Sequence, residues 1–257
     1  MHCFTFDIET VPDVEFGRRI WQLDGLTDED VGTAMTFNRL QETGSDFLPP
    51  HQQRIVAISV GLRTADSFRL WSLGDPGSDE AELVRRFFDG IERYAPDLVS
   101  WNGSGFDLPV LHYRAMRHGI QAPRYWETGD NDREYRFNNY LGRFHWRHID
   151  LMDVLSGFQP RGRASLEQMA VLLGFPGKLG MSGDKVRDCW LKGGIEDIRN
   201  YCETDVLNTY LIYLRFEHMR GRLDSKDLAR EFELVRATLK GMNRPHLDEF
   251  LAAWPKT

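Results

Sequence analysis

Cysteine, long apolar runs and surplus positive charge are all scarce in this 257-residue chain. The three cysteines, Cys3, Cys189 and Cys202, form no CxxC or His-partnered pattern. Their spacing argues against a disulfide framework or a zinc site and favours a reducing compartment. No apolar stretch approaches the roughly 18 residues of a membrane helix, and Asp7 and Glu9 interrupt the region where a signal peptide would be apolar. We therefore predict a soluble, cytoplasmic protein without membrane contact.

The charge balance argues against a protein that coats nucleic acid by bulk attraction. The chain has 32 Lys and Arg residues against 39 Asp and Glu, a net charge of -7. A nucleic-acid enzyme remains compatible with this balance, because clustered carboxylates carry negative charge that a bound cation neutralises locally.

Hydrophobic patterning predicts an α/β fold, with residues 1–257 as a single domain. Residues 2–9 alternate as a half-buried strand, and the apolar runs 54–62 and 67–73 predict a hairpin, so the three strands together predict an antiparallel meander. The pattern after the meander predicts β-α-β connections. In chain order, the later predicted elements are helix 79–94, strand 98–101, helix 108–118, strand 148–154, a helix from Ser165 to near Gly174, helix 195–219 and a last helix 225–240.

Three segments depart from this alternation. Residues 10–53 are predicted to be an insertion after the first strand, with one helix opened by a capping box at Thr27. Residues 121–147 are rich in turn formers and aromatic residues, and 220–257 are predicted to be a C-terminal helical extension.

Five polar residues are candidates for a catalytic site. Asp7 and Glu9 are two apart on a strand, so their carboxylates leave one face within reach of one divalent ion; an ordinary polar face is the alternative. Asp107 follows a predicted strand, where open α/β sheets bind ligands, although a helix N-cap explains an aspartate there equally well. Tyr201 and Asp205 lie one helical turn apart, at the predicted border of core and solvent, where a half-buried tyrosine beside a solvated acid is also common.

Taken together, the segments FDIET, NGSGFDLP and YCETD resemble the three exonuclease motifs of the DEDD superfamily. The chain is most similar to a bacterial family of predicted 3′-5′ exonucleases related to the exonuclease domain of family B DNA polymerases. The segments LPPHQQRIVAISVGL, HIDLMDVLS, ASLEQMAVLLGFPGK and YCETDVLNTYLIYLRF extend the resemblance over most of the chain. Tyr201 stands four residues before Asp205, as in the tyrosine (DEDDy) type, whereas Asn200 occupies the position of the catalytic histidine in the other type.

The resemblance implies an RNase H-like mixed sheet, an antiparallel meander followed by β-α-β units, with helices on both faces. It also implies a nuclease that hydrolyses phosphodiesters with two Mg²⁺ or Mn²⁺ ions. Asp7 would bridge the ions, Glu9 and Asp205 would complete one site, and Asp107 would hold the second ion. Tyr201 would orient or deprotonate the attacking water. Without metal, four carboxylates in one pocket are expected to raise one another's pKa.

Single-stranded nucleic acid is the expected partner, with DNA favoured over RNA. An aromatic-rich loop contains Arg143 and Arg147, and cations interleaved with aromatic rings are typical of single-strand binding. Packing of half of these rings beneath the loop is the alternative. By resemblance, Thr10, Asn102 and Phe106 are further substrate-contact candidates; Phe106 would wedge against a terminal base or face the core.

Two other functions are compatible with the same motifs. One is a 3′-5′ exoribonuclease of ribonuclease D type, and the other is a catalytically silent nucleic-acid-binding subunit on the same fold. The presence of all four acidic motif residues favours an enzyme. No pattern in the sequence indicates a protein partner.

Overall fold

A five-stranded mixed sheet lies at the centre of the computed structural model, which describes residues 2–255. Its strands are β1 (Cys3–Pro12), β2 (Gln53–Arg63), β3 (Phe68–Ser72), β4 (Asp97–Ser100) and β5 (His148–Asp150). The spatial order is β3-β2-β1-β4-β5, so β1 is the central strand. The pairs β1–β2 and β2–β3 are antiparallel, and β4 and β5 run parallel to β1. The predicted meander followed by β-α-β connections is confirmed.

Helices cover both faces of the sheet. Within residues 2–255 they are α1 (Val14–Trp21), α2 (Asp28–Thr43), α3 (Glu80–Tyr94), α4 (Asp107–Arg117), α5 (Leu151–Leu155), α6 (Leu166–Leu172), α7 (Val186–Leu191), α8 (Ile195–Met219), α9 (Ser225–Met242) and α10 (Pro245–Ala253). None of these helices is long and apolar enough to cross a membrane.

The central strand is buried on both faces, which corrects the prediction of a half-buried strand. Phe4, Phe6 and Ile8 pack with α3 and α4 in one core. Thr5 and Glu9, on the opposite face, are also buried, because α8 packs across β1 and β2 there. The sequence pattern alternates because the second face carries a polar site rather than solvent-exposed residues.

Several predicted boundaries were wrong, each for a local reason. Strand β1 continues to Pro12, into the predicted insertion, because it keeps pairing with β2 as far as Gln53. The predicted strand 148–154 ends at Asp150, whose side chain accepts a hydrogen bond from the Asp153 amide and so starts α5. Helix α10 follows the helix that was predicted to be last, and Pro245 occupies its first turn.

Short helices were the elements that the sequence pattern did not reveal. Helices α1 and α7 have eight and six residues, too few turns for a clear 3.6-residue period. The predicted helix opened by the Thr27 cap is confirmed as α2, and the capping box at Ser165 is confirmed at the start of α6.

The buried guanidinium of Arg114 connects the residue after β1 to helices α3 and α4. Arg114 on α4 donates to Asp13 at 2.5 Å and also pairs with Glu80 on α3. All three side chains are at most 5% exposed. Asp13 in addition accepts from the Phe16 amide and caps α1. The Arg114 network therefore fixes where the chain leaves the sheet and the insertion begins.

We expect Arg114→Ala to lower the free energy of unfolding by about 3–5 kcal/mol, because it removes the arginine that the two buried carboxylates share. Urea denaturation followed by circular dichroism measures the change. Arg86→Ala, which breaks an exposed pair with Glu82 within α3, is the control and should leave stability nearly unchanged. Similar unfolding midpoints for both variants would contradict the role given to Arg114.

Candidate active site

The structure brings the five predicted catalytic residues together at one edge of the sheet. Strand β4 runs parallel to β1, and its C-terminal end lies beside the middle of β1, since Val99 pairs with Thr5. Strand β1 carries Asp7 and Glu9, α4 begins with Asp107 just after β4, and α8 crosses the same edge with Tyr201 and Asp205. One cavity is lined by all of them except Asp107. Oδ1 of Asp107 accepts a hydrogen bond of 3.2 Å from the backbone amide of Ile8, the residue between Asp7 and Glu9.

Helix α8 buries the pair Tyr201 and Asp205 more deeply than the sequence pattern predicted. Each is 6% exposed, whereas the pattern placed them at the border of core and solvent. The helix is enclosed on most of its circumference, and polar residues such as Glu203 and Asn208 are buried as well. A single apolar stripe was therefore an incomplete description of this helix.

A break in strand register lies inside the site. The pairing of β1 with β2 shifts between Glu9 and Thr10. Glu9 pairs with Ala57 and Thr10 with Ile55, so β2 has one extra residue at this point. Such bulges bend a strand and redirect its side chains, and they are common beside active sites.

The cavity has a volume of about 550 Å³, within the range of small-ligand sites. Its walls combine the sheet edge with the insertion, α7 and the segment before it, and α8. Besides the catalytic candidates it is lined by Ile8, Thr10, Pro12, Thr36, Asp46, Phe47, Leu48, Gln53, Phe106, Lys178, Gly183, Asp184, Arg187 and Asp188.

Burial raises the pKa of every carboxylate in the motif set, and repulsion from other motif carboxylates adds to the rise for Asp7 and Glu9. Burial is the main cause for each residue. It raises the pKa of Asp107 to about 7 and that of Asp205 to about 6, the latter against the lowering effect of a hydrogen bond from Tyr201. The pKa values of Asp7 and Glu9 rise well above the ordinary range through burial and then through the neighbouring carboxylates. The expected pKa elevation in the metal-free site is confirmed in direction.

The donor set fits a divalent cation. Oδ1 of Asp205 is buried and has no hydrogen-bond partner, a costly state that a cation would relieve. Ligand atoms of Asp7, Glu9 and Cys202 lie within 4.8 Å of one another. Carboxylate oxygens are the preferred ligands of Mg²⁺ and suit Mn²⁺ as well.

Two residues at the site were missed from the sequence. Cys202 was placed on the apolar stripe of α8, but its Sγ lies 3.5 Å from Oδ2 of Asp7. Lys178 lines the cavity with its ammonium 5.8 Å from the Tyr201 ring. The adjacent Gly177 backbone is held by Asn208 through two hydrogen bonds of 3.1 and 2.9 Å. Cys202 directly follows the motif tyrosine, and this position in the sequence could have indicated that it lies at the site.

The predicted substrate contacts separate into two groups. Thr10 and Phe106 line the cavity, and the Phe106 ring lies 5.1 Å from that of Phe47 in the insertion. Asn102 does not line it; its backbone has a positive φ of 64° and its amide donates to Asp150.

The two predicted arginines lie away from the cavity. Arg147 precedes β5, at the N-terminal end of the parallel strands, whereas the site lies toward their C-terminal end. Its guanidinium carbon lies 4.0 Å from the centroid of the Tyr135 ring. Arg147 also donates to the Asn138 carbonyl, so the structure gives it a packing role within the loop. Arg143 borders a second cavity and lies 3.4 Å from Asp153. Substrate binding by Arg143 and by Arg147 stays a prediction.

Some aromatic residues of this loop are buried beneath it and others are exposed, so both predicted alternatives occur. Tyr135 and Tyr140 are buried beneath the loop, whereas Phe137, Phe144 and Trp146 are 81%, 72% and 46% exposed. The exposed rings are available for contact with a partner, and the buried ones hold the loop in place.

Comparison with known proteins assigns the family. The family described as "Predicted 3'-5' exonuclease related to the exonuclease domain of PolB" matches residues 45–254. The chain belongs to this family. The matched region contains Asp107, Tyr201 and Asp205, and β1 with Asp7 and Glu9 precedes it. The predicted family is thereby confirmed, and its description is that of a predicted 3′-5′ exonuclease.

The similar curated proteins are DNA polymerases. A DNA polymerase of Archaeoglobus fulgidus is 28% identical over 173 residues, which cover 65% of this chain and 21% of the polymerase. A DNA polymerase of Pyrococcus glycovorans is 29% identical over 57% of this chain and 19% of the polymerase. DNA polymerase 1 of Pyrococcus abyssi is 23% identical over 82% of this chain and 29% of the polymerase. The chain thus spans less than a third of each of these relatives.

We expect Asp7→Asn to stabilise the metal-free protein at pH 8 and to have less effect at pH 5. A carboxyl whose pKa is raised on folding stabilises the fold only while protonated, so its contribution is lost as pH rises from about 4 through the raised folded value. The pKa values of Asp107 and Asp205, about 7 and 6, put the loss of stability between pH 4 and 7. Removing the Asp7 charge relieves part of this loss.

Thermal denaturation in EDTA, compared at the two pH values, measures this effect. Asp66→Asn, in the exposed turn between β2 and β3, is the control for removing one negative charge. Equal shifts for the two variants, or a destabilised Asp7→Asn at pH 8, would show that the site stores no carboxylate repulsion.

Proposed function

We propose that this exonuclease removes nucleotides from the 3′ end of single-stranded DNA by two-metal-ion hydrolysis. The observation that carries the proposal is the grouping of Asp7, Glu9, Asp205 and Tyr201 on one cavity, with Asp107 bonded to the adjacent Ile8 amide. A buried oxygen of Asp205 has no hydrogen-bond partner. A group of charges with raised pKa values is costly unless cations complete it.

The two ions would be held by the motif carboxylates. Asp7 lies near the other three, since the charges of Glu9, Asp107 and Asp205 all raise its pKa, and it would help to hold both ions. Glu9 and Asp205 would complete one site, and Asp107 would serve the other. When bound, Mg²⁺ or Mn²⁺ supplies charge stabilisation for the attacking and leaving oxygens of an in-line displacement at phosphorus.

Tyr201 would orient the attacking water. Burial and then the charge of Asp205 raise the pKa of its phenol above the ordinary value of about 10, so the neutral hydroxyl is the form present at physiological pH. A neutral phenol donates a hydrogen bond and positions water but does not remove its proton. In the overall reaction, the oxygen of water bonds to the phosphorus of the last phosphodiester, and the bond from that phosphorus to the 3′ oxygen of the penultimate nucleotide breaks. The proton lost by the water is balanced by one taken up at the 3′ oxygen, and a nucleoside 5′-monophosphate is released.

The shape of the cavity favours a single-stranded end. The insertion closes one side: Arg187 on α7 donates to the Glu29 carbonyl and to Thr33 on α2 at 2.8 and 2.7 Å. Phe47 and Phe106 form an aromatic pair at the cavity, and aromatic faces stack on unpaired bases. Lys178 offers a cation for a phosphate. The DNA polymerase names of the relatives favour DNA over RNA.

The purified protein should shorten a 5′-labelled DNA single strand stepwise in Mg²⁺ or Mn²⁺ and leave it intact in EDTA. Asp205→Asn should lower the rate by at least about 10³-fold, since a lost metal ligand removes several kcal/mol of transition-state stabilisation. Asp197→Asn, an exposed aspartate on the same helix α8, is the matched control and should retain activity.

Denaturing gels on DNA and RNA strands of one sequence decide between the alternatives. An intact strand with both metals would contradict the proposed activity and favour a silent binding protein. Faster digestion of RNA would instead support an exoribonuclease of ribonuclease D type.

Tyr201→Phe should lower turnover by ~10²-fold, the usual loss for a group that handles or positions a proton, with an unchanged shape of the pH profile. The ring that packs beside Lys178 is kept. Tyr213→Phe, which removes another buried hydroxyl on α8, should have wild-type turnover.

Single-turnover rates measured from pH 6 to 9 test this role. If an ionisation limb disappears in Tyr201→Phe, the tyrosine is a general base; if activity is full, Tyr201 takes no part in the reaction.

A further inference from the structure

We propose that Asp150 is a positioning residue that aims Asp107 at the metal site. The proposal rests on the exonuclease function above. Asp150 lies at the end of β5, is 5% exposed, and lines no wall of the catalytic cavity. Its role follows from which backbone groups its carboxylate binds.

Both carboxylate oxygens of Asp150 hold the loop that carries Asp107. Oδ1 accepts from the Asn102 amide and Oδ2 from the Ser104 amide, each at 2.9 Å. Hydrogen bonds to an ionised acceptor are stronger than those between neutral groups. The two bonds reach two amides of one turn, so they fix the orientation of the turn as well as its distance from β5.

Within the described residues, no side chain caps the start of α4. Phe106 occupies the N-cap position and makes no capping hydrogen bond. The amide of Leu108 instead donates to the Gly103 carbonyl at 2.9 Å, and that of Phe106 to the Asn102 carbonyl at 3.0 Å. The first turn of α4, which contains Asp107, is therefore attached to the same residues that Asp150 holds.

The loop is compact enough to transmit a displacement. Asn102 adopts the left-handed region, with φ of 64°. A Cβ on Gly103 would lie 2.2 Å from Oγ of Ser100, and one on Gly105 would lie 2.5 Å from Oδ1 of Asn102. With so little free space, a shift of the Asn102 amide moves the whole turn.

Asp150 itself is rigidly placed. It pairs in register with Ser100 at the end of β4, and Oδ1 also accepts from the Asp153 amide at the start of α5. The carboxylate thus links the ends of β4 and β5 to the loop between β4 and α4. Asp107 has a second contact from the Ile8 amide at 3.2 Å, so loss of Asp150 should misplace it rather than release it.

The test uses Asp150→Asn, which keeps the side-chain volume but presents an amide nitrogen to one of the two backbone donors. We expect kcat on single-stranded DNA to fall about 10- to 100-fold, as for a catalytic group displaced by up to about 1 Å. The KM for DNA should change by less than about 3-fold, because the substrate-lining cavity is intact. Stabilisation by Mn²⁺, measured as the rise in melting temperature, should shrink in parallel.

Asp153→Asn is the matched control. Asp153 is 4% exposed and lies one turn further along the chain, but its carboxylate faces Arg143 and Arg163 and does not bind the loop. We expect it to lose thermal stability while keeping kcat and the Mn²⁺-induced rise in melting temperature. Asp150→Ser, which keeps one acceptor oxygen, provides a second variant with the same kinetic pattern should the Asn variant not fold.

Two results would overturn the proposal. One is wild-type kcat and Mn²⁺ stabilisation in both folded Asp150 variants. The other is an equal fall of kcat in Asp153→Asn, which would reduce Asp150 to a general structural role. An inactive wild-type protein would instead overturn the exonuclease function, so the two failures are distinguishable.

Discussion

Four buried carboxylates that repel one another impose the main physical requirement that this fold has to meet. Burial raises the pKa values of Asp7, Glu9, Asp107 and Asp205, and the charges of the neighbouring motif carboxylates raise those of Asp7 and Glu9 further. Without cations the site opposes folding at neutral pH. The surrounding elements must therefore hold the acidic groups in place through interactions made elsewhere.

That support comes from three directions. The core of Phe4, Phe6 and Ile8 with α3 and α4 fixes β1 from one side, and α8 encloses it from the other. The loop before α4 is held from β5 by Asp150. Dispersed apolar packing thus provides the stability, and a small number of hydrogen bonds to backbone amides provide the orientation.

Two segments outside the sheet extend this arrangement to the substrate side and to the catalytic helix. The insertion contributes Phe47 to the cavity, and its first residues are fixed by Arg114. The C-terminal extension contacts the middle of the YCETD motif: Glu203, 1% exposed, is bonded by Arg244 and His246. Helix α8 is therefore held by the C-terminal extension as well as by the sheet.

Residue spacing along the chain predicted the meander and placed Asp7 with Glu9 and Tyr201 with Asp205 on shared faces, because two-residue and four-residue spacings do so on a strand or a helix. The resemblance of three motifs, rather than spacing, indicated the family. The depth of burial of α8, the approach of Cys202 to Asp7, and the bonds from Asp150 to a loop 46 to 48 residues away became evident only from the packing of distant elements. The same packing placed Arg147 at the edge opposite the site. Local periodicity records which residues share a face. It carries no information on which distant element covers that face, and that contact determines burial, pKa and hydrogen-bond partners.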